Sequence, residues 1–211
     1  MLSCRFRFVA AALCAVCLCQ PALGDDARTY LKRGMADPAE RHTLVEEGRE
    51  AATFCFNCHG DNGNSLIPEV PNLAEQNPVY VLDQIDAFLS GRRRDDFMEG
   101  LMRVLTQREK AAVAMFFAQS KVIPASPEPG PLAAQGKVSF NKICAQCHNP
   151  NATGGESYPR LAGQQPEYIR ISLKRYLTMS NDRFSPQMTN AARQLGEQNI
   201  EAVVDYLSSL K

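Results

Sequence analysis

The sequence contains no tryptophan and only three histidines, and neither sign of charge is in excess, since 23 Lys and Arg face 23 Asp and Glu. A chain without surplus positive charge carries no electrostatic footprint for a nucleic-acid backbone. Long apolar runs are scarce as well. The run from Phe8 to Leu18 falls short of the ~20 apolar residues that span a bilayer. It follows Arg5 and Arg7 and precedes Ala22-Leu23-Gly24, so residues 1–24 are expected to be a secretory signal cleaved near Gly24, with export to the periplasm. Cysteine becomes scarce once that segment is set aside, because Cys4, Cys14, Cys17 and Cys19 all lie inside it.

The four cysteines that remain are paired. Cys55-Phe56-Asn57-Cys58-His59 and Cys144-Ala145-Gln146-Cys147-His148 each read C-x-x-C-H, the pattern that attaches a c-type haem. Two thiols can form thioether links to the porphyrin vinyl groups, and the adjacent histidine can then donate a nitrogen to the iron. Four cysteines in an exported chain could instead form a disulfide framework. That reading leaves the paired histidines without a role. Zinc also uses C-x-x-C pairs, but neighbouring Cys and His side chains cannot easily reach one ion together. Two haem c groups, each with its iron, are therefore the expected cofactors.

From Gly48 onward the chain repeats. Gly48 to Cys58 matches Gly136 to Cys147, Pro71 to Gln76 matches Pro159 to Gln164, and Pro78 to Tyr80 matches Pro166 to Tyr168. Such an internal offset marks a duplication. Pro78 and Pro166 are suited to the first position of a helix. Val81, Leu82, Ile85, Phe88 and Leu89 give the first of these helices an apolar face. Thr106 with Glu109 forms a capping box opening a helix through Gln119, whose counterpart is expected over Glu197 to Leu210. Residues 122–131 hold four prolines and read as a semi-rigid linker. The expected architecture is all-α, with a 25–47 extension, one unit over 48–120, a linker over 121–132 and a second unit over 133–211. Each unit is small, and a covalently held haem would add an apolar plate to a core that is marginal alone. Residues 25–120 carry 11 basic and 16 acidic side chains, against 10 and 7 in 121–211, so the halves differ in sign.

The second axial position on each iron decides between carrier and enzyme. Methionine there suits electron transfer, and an open position suits reaction with small molecules. Met98 and Met188 lie at matching repeat positions, five residues after Arg93 and Arg183, and are the candidates. Met102, one helical turn beyond Met98, is the weaker alternative.

The two C-x-x-C-H motifs, Gly60-Asp61-Asn62-Gly63-Asn64-Ser65, Pro159-Arg160-Leu161-Ala162-Gly163-Gln164 with its twin at Pro71, and the Arg93/Met98 and Arg183/Met188 pairs together resemble the tandem class I di-haem cytochromes c of the cytochrome c4 family. The resemblance implies two tandem class I domains with one covalent haem c each, held by Cys55 and Cys58 and by Cys144 and Cys147. It implies His59/Met98 and His148/Met188 ligation and electron shuttling between redox proteins in the periplasm. It also implies that the carbonyls of Pro71 and Pro159 orient the histidines and that Arg93 and Arg183 meet haem propionates. Partners would be an electron donor and acceptor, among them a membrane-bound oxidase or a quinol-oxidising complex, with no nucleic acid and no small-molecule substrate. A cytochrome subunit of a dehydrogenase or oxidase complex is the alternative, with residues 25–47 as a docking arm. A di-haem peroxidase is disfavoured by the matched methionines. Glu75 in place of glycine, and Gly196 in place of a capping serine, depart from the family pattern.

Overall fold

Proline at the first helical position and polar caps just ahead of it set many of the helix starts. The computed structural model describes residues 25–126, 128–180 and 182–210, so the signal expected at 1–24 lies outside the described residues. α1 (Ala27–Ala36) is capped by the Asp26 carboxylate, which accepts from the Thr29 N–H at 2.7 Å. Asp37 and Pro38 then open α2 (Pro38–Ala51). The one-turn α3 (Phe56–His59) carries the first motif, and α4 (Pro78–Leu89), α5 (Asp96–Val104) and α6 (Gln107–Gln119) follow. In the second half α7 (Ala133–Ile143), α8 (Ala145–His148), α9 (Pro166–Thr178), α10 (Pro186–Leu195) and α11 (Ile200–Ser208) repeat the order from α2 to α6. Among the described residues the only β pairing is an isolated antiparallel bridge between Arg93 and Arg183.

The capping box at Thr106 is complete. Its Oγ1 accepts from the Glu109 N–H, and the Glu109 carboxylate accepts from the Thr106 N–H at 2.8 Å. The matching start in the second half is looser, because Gly196 has no side chain to cap with and sits at φ +72°. A 3₁₀ turn over Glu197–Asn199 replaces the first turn expected of that helix, and α11 begins only at Ile200.

In each half the helix leading into the motif crosses the last helix, α2 on α6 and α7 on α11. Glycine makes both crossings possible. A Cβ on Gly48 would stand 2.1 Å from the Ala112 carbonyl oxygen, and one on Gly136 would stand 1.8 Å from that of Ala202. Around the first crossing Leu44, Met115, Phe116 and Phe117 are shut off from solvent; around the second, Phe140, Leu195, Val203 and Leu207 are.

The 25–47 extension is no free arm. Leu31 and Leu44 are buried, α1 packs on α4 and α6, and α2 runs without a break across residue 47. Arg28 pairs with Asp83 at 2.7 Å and Asp86 at 2.9 Å, and Arg108 pairs with Glu40 and Glu47. The reason is its apolar spacing, which places Ala27, Leu31 and Gly34 on one face of α1.

The two halves meet through a reciprocal clamp built from repeat-related residues. The Asn72 N–H donates to Gln164 Oε1 at 2.7 Å while Gln164 Nε2 donates to the Asn72 carbonyl at 2.9 Å. Arg160 N–H and Gln76 make the same exchange at 2.7 and 3.0 Å. All four residues are buried. Because 72 corresponds to 160 and 76 to 164, the junction is pseudo-twofold. The linker lies along this junction, with Ile123 N–H donating to Asn64 Oδ1 and Ala125 N–H to the Gly163 carbonyl.

Candidate haem sites

The short α3 and α8 turns put both cysteines and the histidine of each motif on one coil of backbone. No disulfide joins these four cysteines. Burial pushes the Cys55 thiol up from its ordinary range, and the Cys144 thiol up to about 11. Among the described residues no three His, Cys, Asp or Glu side chains converge as an ion site, which leaves the zinc reading without a ligand set.

His59 and His148 are buried, and their rings are oriented the same way. Nδ1 of His59 lies 2.9 Å from the Pro71 carbonyl, and Nδ1 of His148 lies 3.0 Å from the Pro159 carbonyl. A carbonyl accepts only, so Nδ1 carries the proton and Nε2 keeps its lone pair, the tautomer a metal requires. Burial holds both imidazoles below their ordinary pKa, against the opposing pull of those carbonyls. Both rings are therefore disposed to be neutral donors.

In the first half these residues open onto a cavity of about 430 Å³ whose wall includes Cys55, Cys58, His59, Arg93, Met98 and Tyr168. A planar cofactor with two thioether anchors, one nitrogen ligand and one sulfur ligand fits that donor set. Met102 is buried and also reaches this cavity. Repeat symmetry separates the two methionines: Met98 corresponds to Met188, whereas Met102 corresponds to Ala192. Met98 and Met188 share a local frame as well. Each N–H is capped from the residue three before it, Met98 by Asp95 Oδ1 at 3.0 Å and Met188 by Ser185 Oγ at 3.4 Å. Of the remaining methionines, Met115 is core, and Met35 and Met179 are exposed.

Arg93 and Arg183 do not act separately. Arg183 donates through Nη1 to Tyr168 Oη at 2.9 Å and Ser172 Oγ at 3.0 Å, and through Nη2 to Tyr80 Oη at 3.0 Å. Arg93 donates to Gln84 Oε1 at 2.9 Å and Tyr168 Oη at 3.2 Å, and its guanidinium stands over the Phe88 ring at 4.5 Å. Burial raises the Tyr168 phenol, but Arg183 and then Arg93 outweigh it and bring its pKa down to about 7. Tyr80 moves the other way, raised chiefly by burial. Tyr80 and Tyr168 occupy matching repeat positions, as Arg93 and Arg183 do, and those matches were the sequence signals of this cluster. Gln164 and Tyr168 belong to the second half yet help to line the first cavity, so the second half completes the first site.

Comparison with known proteins agrees with this geometry. Residues 133–211 match the family described as cytochrome c. A cytochrome c4 of Pseudomonas aeruginosa is 33 % identical over 175 residues, covering 77 % of this chain and 87 % of that protein. A thiosulfate dehydrogenase electron acceptor of Thiomonas intermedia is 31 % identical over 172 residues, covering 75 % and 79 %. The crystal structure of reduced recombinant cytochrome c4 from Pseudomonas stutzeri superimposes with a TM-score of 0.71 at 28 % identity, covering 79 % of this chain and 98 % of that one. With two haem-attachment motifs on two matching helical units, the chain belongs to the cytochrome c4 family of di-haem c-type cytochromes, which carry electrons between redox partners.

Proposed function

We propose that His59 and Met98 ligate the iron of the first haem and that His148 and Met188 ligate the second. Cys55, Cys58, Cys144 and Cys147 supply the thioether links. Bound haem contributes reversible Fe(II)/Fe(III) cycling, and the protein sets its potential through ligands, burial and hydrogen bonding. The observation that carries this reading is the shared cavity, where both motif thiols, the Nδ1-protonated histidine and Met98 meet on one wall system. The carbonyls of Pro71 and Pro159 fix the imidazoles, and Arg93 and Arg183, which pair with no carboxylate among the described residues, would balance propionate charge. The two units, 48–120 and 133–211, would each hold one haem, joined through the 121–132 linker and the glutamine clamp.

The site of action is the periplasm. Among the described residues no helix is long and apolar enough to cross a membrane. The chain would carry electrons between a respiratory donor and a terminal oxidase or reductase. A second reading is favoured by the Thiomonas intermedia relative: the donor would be a periplasmic dehydrogenase that oxidises a small sulfur compound. In either case the chain needs no substrate pocket of its own, only two haem edges accessible to partners.

Spectroelectrochemical titration of the holoprotein tests the carrier reading. Two one-electron steps at distinguishable midpoint potentials are expected, because the two halves differ in charge and in the residues around each motif. A high-spin oxidised spectrum, with ready cyanide binding at either iron, would refute it.

A further inference from the structure

The sequence Arg92-Arg93-Arg94 is more than the Arg93 junction requires. Arg93 turns into the cluster with Tyr168, Arg92 turns the other way, and Arg94 borders both sides. The antiparallel bridge explains why: Arg94 N–H donates to the Asp182 carbonyl at 2.8 Å and Phe184 N–H donates to the Arg92 carbonyl at 2.9 Å, so alternate side chains leave opposite sides of the pairing.

On that second side lies a cavity of about 550 Å³ between the halves, which shares Arg94 with the one bearing His59. Arg92 and Arg94 line it from the first half, Arg183 and Arg193 from the second. No Asp or Glu is among its lining residues. Among the described residues none of these four guanidinium groups has a carboxylate within ion-pairing distance; Arg183 is half-buried, and Arg92, Arg94 and Arg193 are exposed. Arg92 and Arg193 make only weak neutral contacts, to Ser90 Oγ and to the Met179 sulfur. Ser180, which also lines the cavity, has a hydroxyl shut off from solvent with no hydrogen-bond partner among the described residues. Four like charges gathered into one concavity repel one another unless an anion joins them. Guanidinium groups match oxyanions through paired N–H donors.

We propose that this inter-domain cavity binds a small, multiply charged oxyanion of the phosphate or sulfate class. The anion would join Arg92 and Arg94 to Arg193 and so tie the two halves together at a point away from the glutamine clamp. Arg183 belongs both to this cavity and to the Tyr168 cluster on the wall of the first haem cavity. Binding is therefore coupled to redox state: the oxidised protein, carrying more positive charge, holds the anion more tightly than the reduced one.

Isothermal titration of the oxidised holoprotein with sodium sulfate, inorganic phosphate and pyrophosphate, against sodium chloride at equal ionic strength, tests the site. Saturable binding of the multivalent anions is expected, several-fold weaker after reduction. It should weaken by roughly tenfold or more in Arg193→Gln and further in Arg92→Gln/Arg193→Gln, as the charge-assisted bonds are removed. Arg33→Gln on α1 should bind as the wild type does. Haem spectra of each variant report whether it has folded, and the single Arg193→Gln change stands if the double variant does not. Lack of saturable binding, or equal loss in Arg33→Gln, would overturn the site. Equal affinity in both redox states would overturn the coupling while leaving the haem reading intact.

Discussion

Substituting Gly136 by alanine tests the packing that holds the second motif in place. The added Cβ would lie 1.8 Å from the Ala202 carbonyl oxygen and 2.9 Å from Tyr206 Cβ, whereas real Cβ contacts stay beyond about 3.0 Å. The obstructing atom is backbone of α11, so no rotamer change relieves it, and α7 must move away as a body. Overpacking of this kind costs about 1–3 kcal/mol, and a rigid neighbour argues for the upper end. Better helix propensity returns about 0.5–1 kcal/mol, leaving a net loss of about 2–2.5 kcal/mol. The stability of the holoprotein in guanidinium, followed by far-ultraviolet dichroism and by the visible haem spectrum, measures it. Gly100→Ala is the control, since nothing lies within 4 Å of its would-be Cβ in α5, and it should be neutral or slightly stabilising. If Gly136→Ala unfolds at the same midpoint as Gly100→Ala, close helix crossing is not what fixes the second motif.

Leu31→Ala, in the extension, removes a side chain that is 2 % exposed and should cost about 2–5 kcal/mol in thermal or denaturant melts, whereas a loosely attached arm would show no change. Gln164→Leu strips the partners from the buried Asn72 N–H and carbonyl, a penalty of about 2–4 kcal/mol on docking of the halves, read as faster proteolysis within the 121–132 linker. Thr106→Ala should destabilise by about 1 kcal/mol. Hydrogen bonds from Thr106 hold the Glu109 carboxyl below its ordinary value, so that part of the cap's contribution is present above the ordinary carboxylate range and fades as pH falls through the lowered one. Thr106→Ala keeps the backbone N–H that is the larger cause, so melts of the wild type and the variant should both show a loss of stability in acid from this cap.

Local chemistry was legible where a few adjacent residues fix the outcome. The two C-x-x-C-H motifs, Pro78, Pro166 and the Thr106–Glu109 box each act within five residues, and helices begin where those signals stand. The spacing that leads from His59 to Met98 was visible because duplication repeats it, not because either residue announces the other. What lies between the copies was harder to read. Arg183 meets Tyr80 across 103 residues and Asn72 meets Gln164 across 92, and no local pattern encodes such a pairing. Arg93 and Arg183 were each expected beside a haem propionate, whereas their shared engagement of Tyr168 is a property of the docked halves. The docking of the extension was hard to read because its apolar positions are few. Three residues on one face of α1 were enough to dock it.

The central claim is that each iron has its own matched methionine. The weak long-wavelength band of the oxidised protein that accompanies sulfur–iron ligation measures this directly, compared across wild type, Met98→Ala, Met188→Ala and Met102→Ala. The account predicts that about half the band is lost in each of the first two variants, each with a fall in one midpoint potential, and that Met102→Ala keeps the whole band. Retention of the full band in Met98→Ala, or its loss in Met102→Ala, would contradict the pairing.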